Sequence, residues 1–171
     1  MKKIMITELI PCFRSEGRCK ECRLTQAVIT MPNGIGENAK ALLDEVLNPA
    51  GELYGKEMNV INGFCCPVRC RNLGCNQTDY VRGDAADISA VGLQGNDLAL
   101  ENLEIACAIV QNGRWDQMFL EDVPSTGIEP RWIHVSWKRH GGNRKEILKR
   151  VKGTKEYQRL SKLDMAQLMS E

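Results

Sequence analysis

The sequence predicts an α+β fold, with a small, mostly antiparallel sheet and flanking helices. Helical and strand patterns are mixed along the chain, and the strand patterns cluster late. The chain has 171 residues, 43% hydrophobic and 26% charged, which is enough for one full core of ordinary globular composition. Residues 1–151 read as the main domain and residues 152–171 as a basic, helical C-terminal extension.

The elements follow in order. "TELIPCF" opens with a short helical turn that Thr7 can cap. Residues 11 to 35 are irregular and rich in Cys, Arg, Gly and Pro. A helix from about Gly36 to Leu47 puts Ala39, Leu42, Leu43, Val46 and Leu47 on one face, and Asn48–Pro49 should stop it. "MNVINGF" is a strand of β-branched and apolar residues. The Cys-rich loop "CCPVRCRNLGCNQTD" leads to a second strand, "DAADISA". "NDLALENLEIACAIVQNG" is a helix with Leu103, Ala106, Cys107 and Val110 inward, and Gly113 ends it. "WDQMFLED" and "WIHVSW" are further strands. "GGNRKEILKRV" starts a C-terminal helix, and a second is expected from Thr154 to Met169.

Charge and hydropathy narrow the function classes. A net charge of +1 gives no overall attraction to nucleic acid or membrane. Ten of the 23 Lys and Arg lie between Lys138 and Lys162, which reads as a solvated helical face, so nucleic acid is not an expected partner. In "MKKIMITELIP" the apolar run is broken by Thr7 and Glu8, too early for a signal segment. No apolar run reaches the ~18 residues of a membrane span. The expectation is synthesis in the cytoplasm, with the eight cysteines reduced or bound to metal.

Two strands carry candidate chemistry. Alternation in "WIHVSW" sets Ile133, Val135 and Trp137 on one face and Trp132, His134 and Ser136 on the other. In "DAADISA", Asp87 shares its face with the small residues Ala85 and Ser89, which lets an ion or another backbone approach. Taken singly, a hydrogen-bonded His and an Arg-paired Asp are the ordinary readings of these residues, ahead of a metal or catalytic role. "CKEC", at Cys19 and Cys22, has the spacing of a zinc knuckle. It is compatible with a structural zinc completed by loop cysteines, with buried reduced thiols, or with disulfides outside the cell.

The order of motifs carries more than any one of them. A Gly-aromatic-x-x-Pro loop, then "RGDAADI", a helix, Asp-Gln and "WIHVS" resemble the zinc D-alanyl-D-alanine peptidases, the peptidoglycan carboxypeptidases and phage endolysin-type peptidases. The resemblance spans roughly residues 1 to 150 and implies that family's fold. It also implies a zinc held by a His, an Asp seven residues later and a distant second His, with the fourth position open to water. A carboxylate takes the proton of that water, and a loop Arg holds developing charge. Asp87 matches the second ligand and His134 the third. Tyr80 stands at the first, replacing His, and Cys65 stands where the loop Arg is expected to meet substrate. Glu121 and Glu129 are the candidate bases by position.

With these departures the resemblance implies impaired or lost peptide hydrolysis. The scaffold would be retained for binding or as a structural, virion-associated component, and zinc would bind weakly. Its expected partners are a peptidoglycan peptide or other phage structural proteins, with no membrane. The alternative is an active D,D- or L,D-peptidase cutting stem peptides with a Tyr-containing metal site.

Overall fold

In a computed structural model of the chain, residues 3–9, 34–67, 70 and 78–170 are described. The fold is α+β. Six strands form one sheet in the order β1-β2-β4-β3-β5-β6. They are β1 (Met58–Asn62), β2 (Ala85–Ala90), β3 (Gln117–Val123), β4 (Trp132–Ser136), β5 (Glu146–Val151) and β6 (Tyr157–Arg159). The sheet is mixed, which corrects the expectation of a mostly antiparallel one: β5 runs parallel to β3, the other pairings being antiparallel.

One sheet face carries the core. Register puts Ala86, Val135 and Met118 in one row and Ile88, Ile133 and Leu120 in the next, and all six side chains are buried. The helix Gly95–Asn112 lies against this face and ends at Gly113 as expected; of the residues read as inward, Leu103, Ala106 and Cys107 are buried and Val110 is partly buried against the core, and Ile109 is buried as well. Asn102, buried within it, donates to the carbonyls of Pro130 and Arg131 and accepts from the Ala90 N–H. That side chain pins the helix to the ends of β2 and β4.

The helix expected to stop at Asn48–Pro49 does not stop. It runs as α-helix Ile35–Leu42, a π-helical turn Leu43–Leu47 and α-helix Asn48–Tyr54, ending at Gly55. Pro49 has no N–H to offer the Glu45 carbonyl four residues back. Asn112 donates to that carbonyl instead, at 2.8 Å. The break is accommodated by the neighbouring helix and by π geometry.

The C-terminal expectation is also corrected. Residues 146–151, read as helix, form β5, and Tyr157–Arg159, within the second expected helix, form β6. The final helix is shorter, Lys162–Ser170, and its Leu168 is buried in the common core. Parallel pairing with β3 supplies the backbone partners of β5 and overrides the helical propensity of its Glu, Leu, Lys and Arg. Asp116 fastens this corner. It accepts from the backbone N–H (2.7 Å) and the Nε (3.0 Å) of Arg144, and lies 3.1 Å from Lys138 Nζ. Burial alone would raise the Asp116 carboxyl, but the Arg144 and Lys138 hydrogen bonds hold it down to about 2.

Candidate functional site

The opposite sheet face is polar. Asp87 and His134 are direct cross-strand partners on β2 and β4, and Phe119 on β3 lies opposite His134 on its other side. Alternation adds Glu121, two residues along β3. In β1 the register shifts between Val60 and Asn62. That irregularity keeps Val60 in the core yet turns Asn62 toward the polar face, where its Nδ2 donates to Asp87 Oδ2 at 3.0 Å.

Tyr80 reaches this face from the short helix Thr78–Arg82. The next residue, Gly83, turns the chain into β2 with φ +78, and a Cβ there would lie 2.7 Å from the Ile35 carbonyl oxygen. Only glycine meets both demands. The turn aims Tyr80 back over β2, seven residues before Asp87.

Three side chains then converge. Tyr80 Oη donates to Asp87 Oδ1 in a short hydrogen bond and lies 2.8 Å from His134 Nδ1. His134 Nδ1 is also 3.1 Å from Asp87 Oδ1. Tyr80 has one proton, and it goes to the carboxylate. The contact with His134 is then satisfied with Nδ1–H donating to Oη and Oδ1. The rings hold this arrangement. His134 stacks on Phe119 with centroids 5.0 Å apart and meets the Tyr80 ring edge-on. Burial pushes the Tyr80 phenol far above its ordinary range, and the charge and hydrogen bond of Asp87, with the charge of Glu121, add to it.

This donor set does not fit a catalytic zinc as it is arranged. Catalytic zinc needs three protein ligands, and tetrahedral bonds of ~2.0–2.1 Å separate them by about 3.3 Å. The two longer contacts here, 2.8 and 3.1 Å, are hydrogen-bond distances. Asp87 and His134 are ordinary zinc ligands, but the third group is a phenol held strongly in its protonated form. Among the described residues, no group of three or more His, Cys, Asp and Glu side chains is placed to hold a metal.

The other predicted residues divide. Glu121 is on the polar face, with Arg150 Nε at 2.7 Å and Tyr157 Oη at 2.7 Å. Glu129 is elsewhere. It accepts from the Ile128 N–H and lines a surface pocket with Gly95, Arg131 and Lys152. Cys65 is buried beside Tyr80, its backbone N–H donating to the Tyr80 carbonyl at 3.2 Å. A thiol at that place supplies no fixed cation. Cys19 and Cys22 lie outside the described residues. Asn62, Phe119 and Tyr157 were not expected in the site. Of these, Asn62 carries a sequence signal, an amide within an apolar strand.

Asp84 lies buried between Tyr80 and Asp87 in sequence, 3.4 Å from Arg82 Nε. Burial raises its carboxyl to about 6, with Arg82 only partly offsetting the rise. Among the described residues no helix is long and apolar enough to cross a membrane. No family model matches the chain, and neither a curated protein nor a solved structure matches it.

Proposed function

We propose that this chain is a peptidoglycan-peptidase-like domain in which zinc-dependent hydrolysis is impaired or lost. Its polar sheet face is kept for binding a stem peptide or a structural partner such as a virion component. One observation carries the reading: the Tyr80 hydroxyl lies between Asp87 and His134, bonded to both. The resemblance makes all three positions ligand positions, and their meeting at one point agrees with that assignment. The hydroxyl then does locally what a metal would do structurally. It ties the Thr78–Arg82 helix to β2 and β4, without supplying a Lewis acid or an activated water.

The chain's own groups suit binding better than turnover. Oδ1 of Asp87 accepts from Tyr80 and Oδ2 from Asn62, so neither oxygen stands ready to take a proton from water. Glu121 is held on both oxygens by Arg150 and Tyr157. Cys65 gives no charge to a developing oxyanion, a contribution worth roughly 2.7–4 kcal/mol per donor in hydrolases that have one.

The test uses the full chain with purified peptidoglycan and a soluble peptide ending in D-alanyl-D-alanine. Binding and D-alanine release are measured together. The proposal expects saturable binding, weakened by His134→Ala, and no release above the zinc-free background. Hydrolysis at ordinary enzyme rates, abolished by a chelator and by Tyr80→Phe, would make Tyr80 a true ligand and the chain an active peptidase. Failure to bind either substrate would remove the peptide-binding half of the proposal.

A further inference from the structure

The C-terminal hairpin brings a second tyrosine to the same face. β6 pairs with β5 so that Tyr157 lies opposite Arg150. Tyr157 Oη donates to Glu121 Oε1 at 2.7 Å, while Arg150 Nε donates to Oε2 at 2.7 Å. The Tyr157 ring packs 4.9 Å from Phe119, whose ring in turn stacks on His134. Three residues of edge strand therefore close one end of the row formed by His134, Phe119 and Glu121.

The hold of this strand is slight. All three β6 residues are exposed, and Tyr157 itself is 40% exposed above a Glu121 that is 4% exposed. The strand has one neighbour in the sheet. A short exposed edge strand opens at far lower cost than the strands it borders.

We infer that this hairpin is a displaceable cover, and that Tyr157 occupies the place of a ligand. The inference rests on the reading of the polar face as a peptide-binding surface. The ligand's chemistry follows from what Tyr157 supplies, one donor hydrogen for Glu121 Oε1 and an apolar body against Phe119. A peptide carrying an ammonium or amide N–H beside a small apolar side chain supplies both. Charge favours the ammonium. Arg150 is shared between Glu121 (2.7 Å) and Asp122 (2.9 Å), so two carboxylates face one guanidinium. Displacing Tyr157 exchanges its hydrogen bond and ring contact for their equivalents and leaves the Arg150–Glu121 pairing in place, and it also gives up the pairing of β6 with β5 and the Arg159–Glu146 ion pair.

The experiment labels carboxylates on the native full chain with a carbodiimide and an amine, read by peptide mass spectrometry. Glu121 is expected to label slowly in the wild type and about tenfold faster in Tyr157→Ala, the factor that one lost hydrogen bond to a charged group implies. Asp116, fully buried with its carboxylate held by Arg144 and Lys138 and not by β6, should not change. Alanyl-alanine added to Tyr157→Ala should slow Glu121 labelling again. An unchanged Glu121 rate in Tyr157→Ala overturns the cover. Should that variant also open Asp116, Tyr157→Phe carries the test. It keeps the ring and loses only the donor, and anything below about a threefold rise there overturns the cover. Faster labelling without protection by alanyl-alanine overturns the ligand assignment alone. The labelling step needs no peptide, so its failure is distinct from a failure of stem-peptide binding.

Discussion

Tyr80→Phe isolates the hydroxyl on which the site is built. The ring stays, so its edge-on contact with His134 survives and no cavity forms. What is lost is the donor to Asp87 Oδ1 and the acceptor for His134 Nδ1. Asp87 is only 7% exposed, so water does not replace the donor freely. Asn62 and His134 continue to hold the carboxylate, which limits the damage. A hydrogen bond to a charged group contributes about 1.5–3 kcal/mol, and we expect a loss of about 2. For a chain of this size that lowers Tm by roughly 4–8 °C. Urea and thermal melts of wild type, Tyr80→Phe, Asp87→Asn and the double variant form a cycle. The coupling energy should be about 1–2 kcal/mol, because the two side chains share one bond. Additive effects, or a Tyr80→Phe melt unchanged within error, would refute the claim that this hydroxyl ties the site together.

Other expectations follow from the same geometry. Asp84 has its carboxyl raised from 3.8 to about 6 in the folded chain, so its contribution is intact below pH 3.8 and is lost as pH rises through about 6. Asp84→Asn should therefore stabilise the protein at pH ~8, by at most about 3 kcal/mol, and have little effect at pH ~4; paired chemical melts check the sign. Asp116 behaves oppositely, its contribution present above pH 3.8 and lost as pH falls toward 2. Asp116→Asn strips a buried charge from Arg144 and Lys138 and should cost roughly 3–5 kcal/mol near neutral pH, read from the urea midpoint. Asn112→Ala leaves the Glu45 carbonyl without its side-chain donor and should cost about 1 kcal/mol, with faster amide exchange around the π-helical turn.

Much of the polar face was legible in the sequence. "DAADISA" and "WIHVSW" alternate strongly enough to fix which side chains share a face, and Asp87 and His134 meet as direct partners. Other parts were not legible, for physical reasons. Pro49 is a strong stop signal, but its effect was absorbed by Asn112, more than sixty residues away. "EILKRV" has helical propensity, and a parallel neighbour that is distant in sequence decided its strand state. Tyr157 gave no local sign of its place, because its contact with Glu121 depends on the hairpin that β5 and β6 form together. Between Glu121 and Glu129 only position was visible, and the structure brings Glu121 alone to the face of His134.

The central claim is that Tyr80 occupies a ligand position without acting as a ligand. The direct measurement is zinc stoichiometry by native mass spectrometry, on wild type and Tyr80→His each purified with equimolar zinc. A neutral imidazole binds without the deprotonation that the buried phenol resists. Tyr80→His should hold close to one zinc per chain at this position, lost on Asp87→Ala or His134→Ala, while the wild type holds far less. A wild type carrying one zinc per chain, released by those same two substitutions and by Tyr80→Phe, would contradict the account.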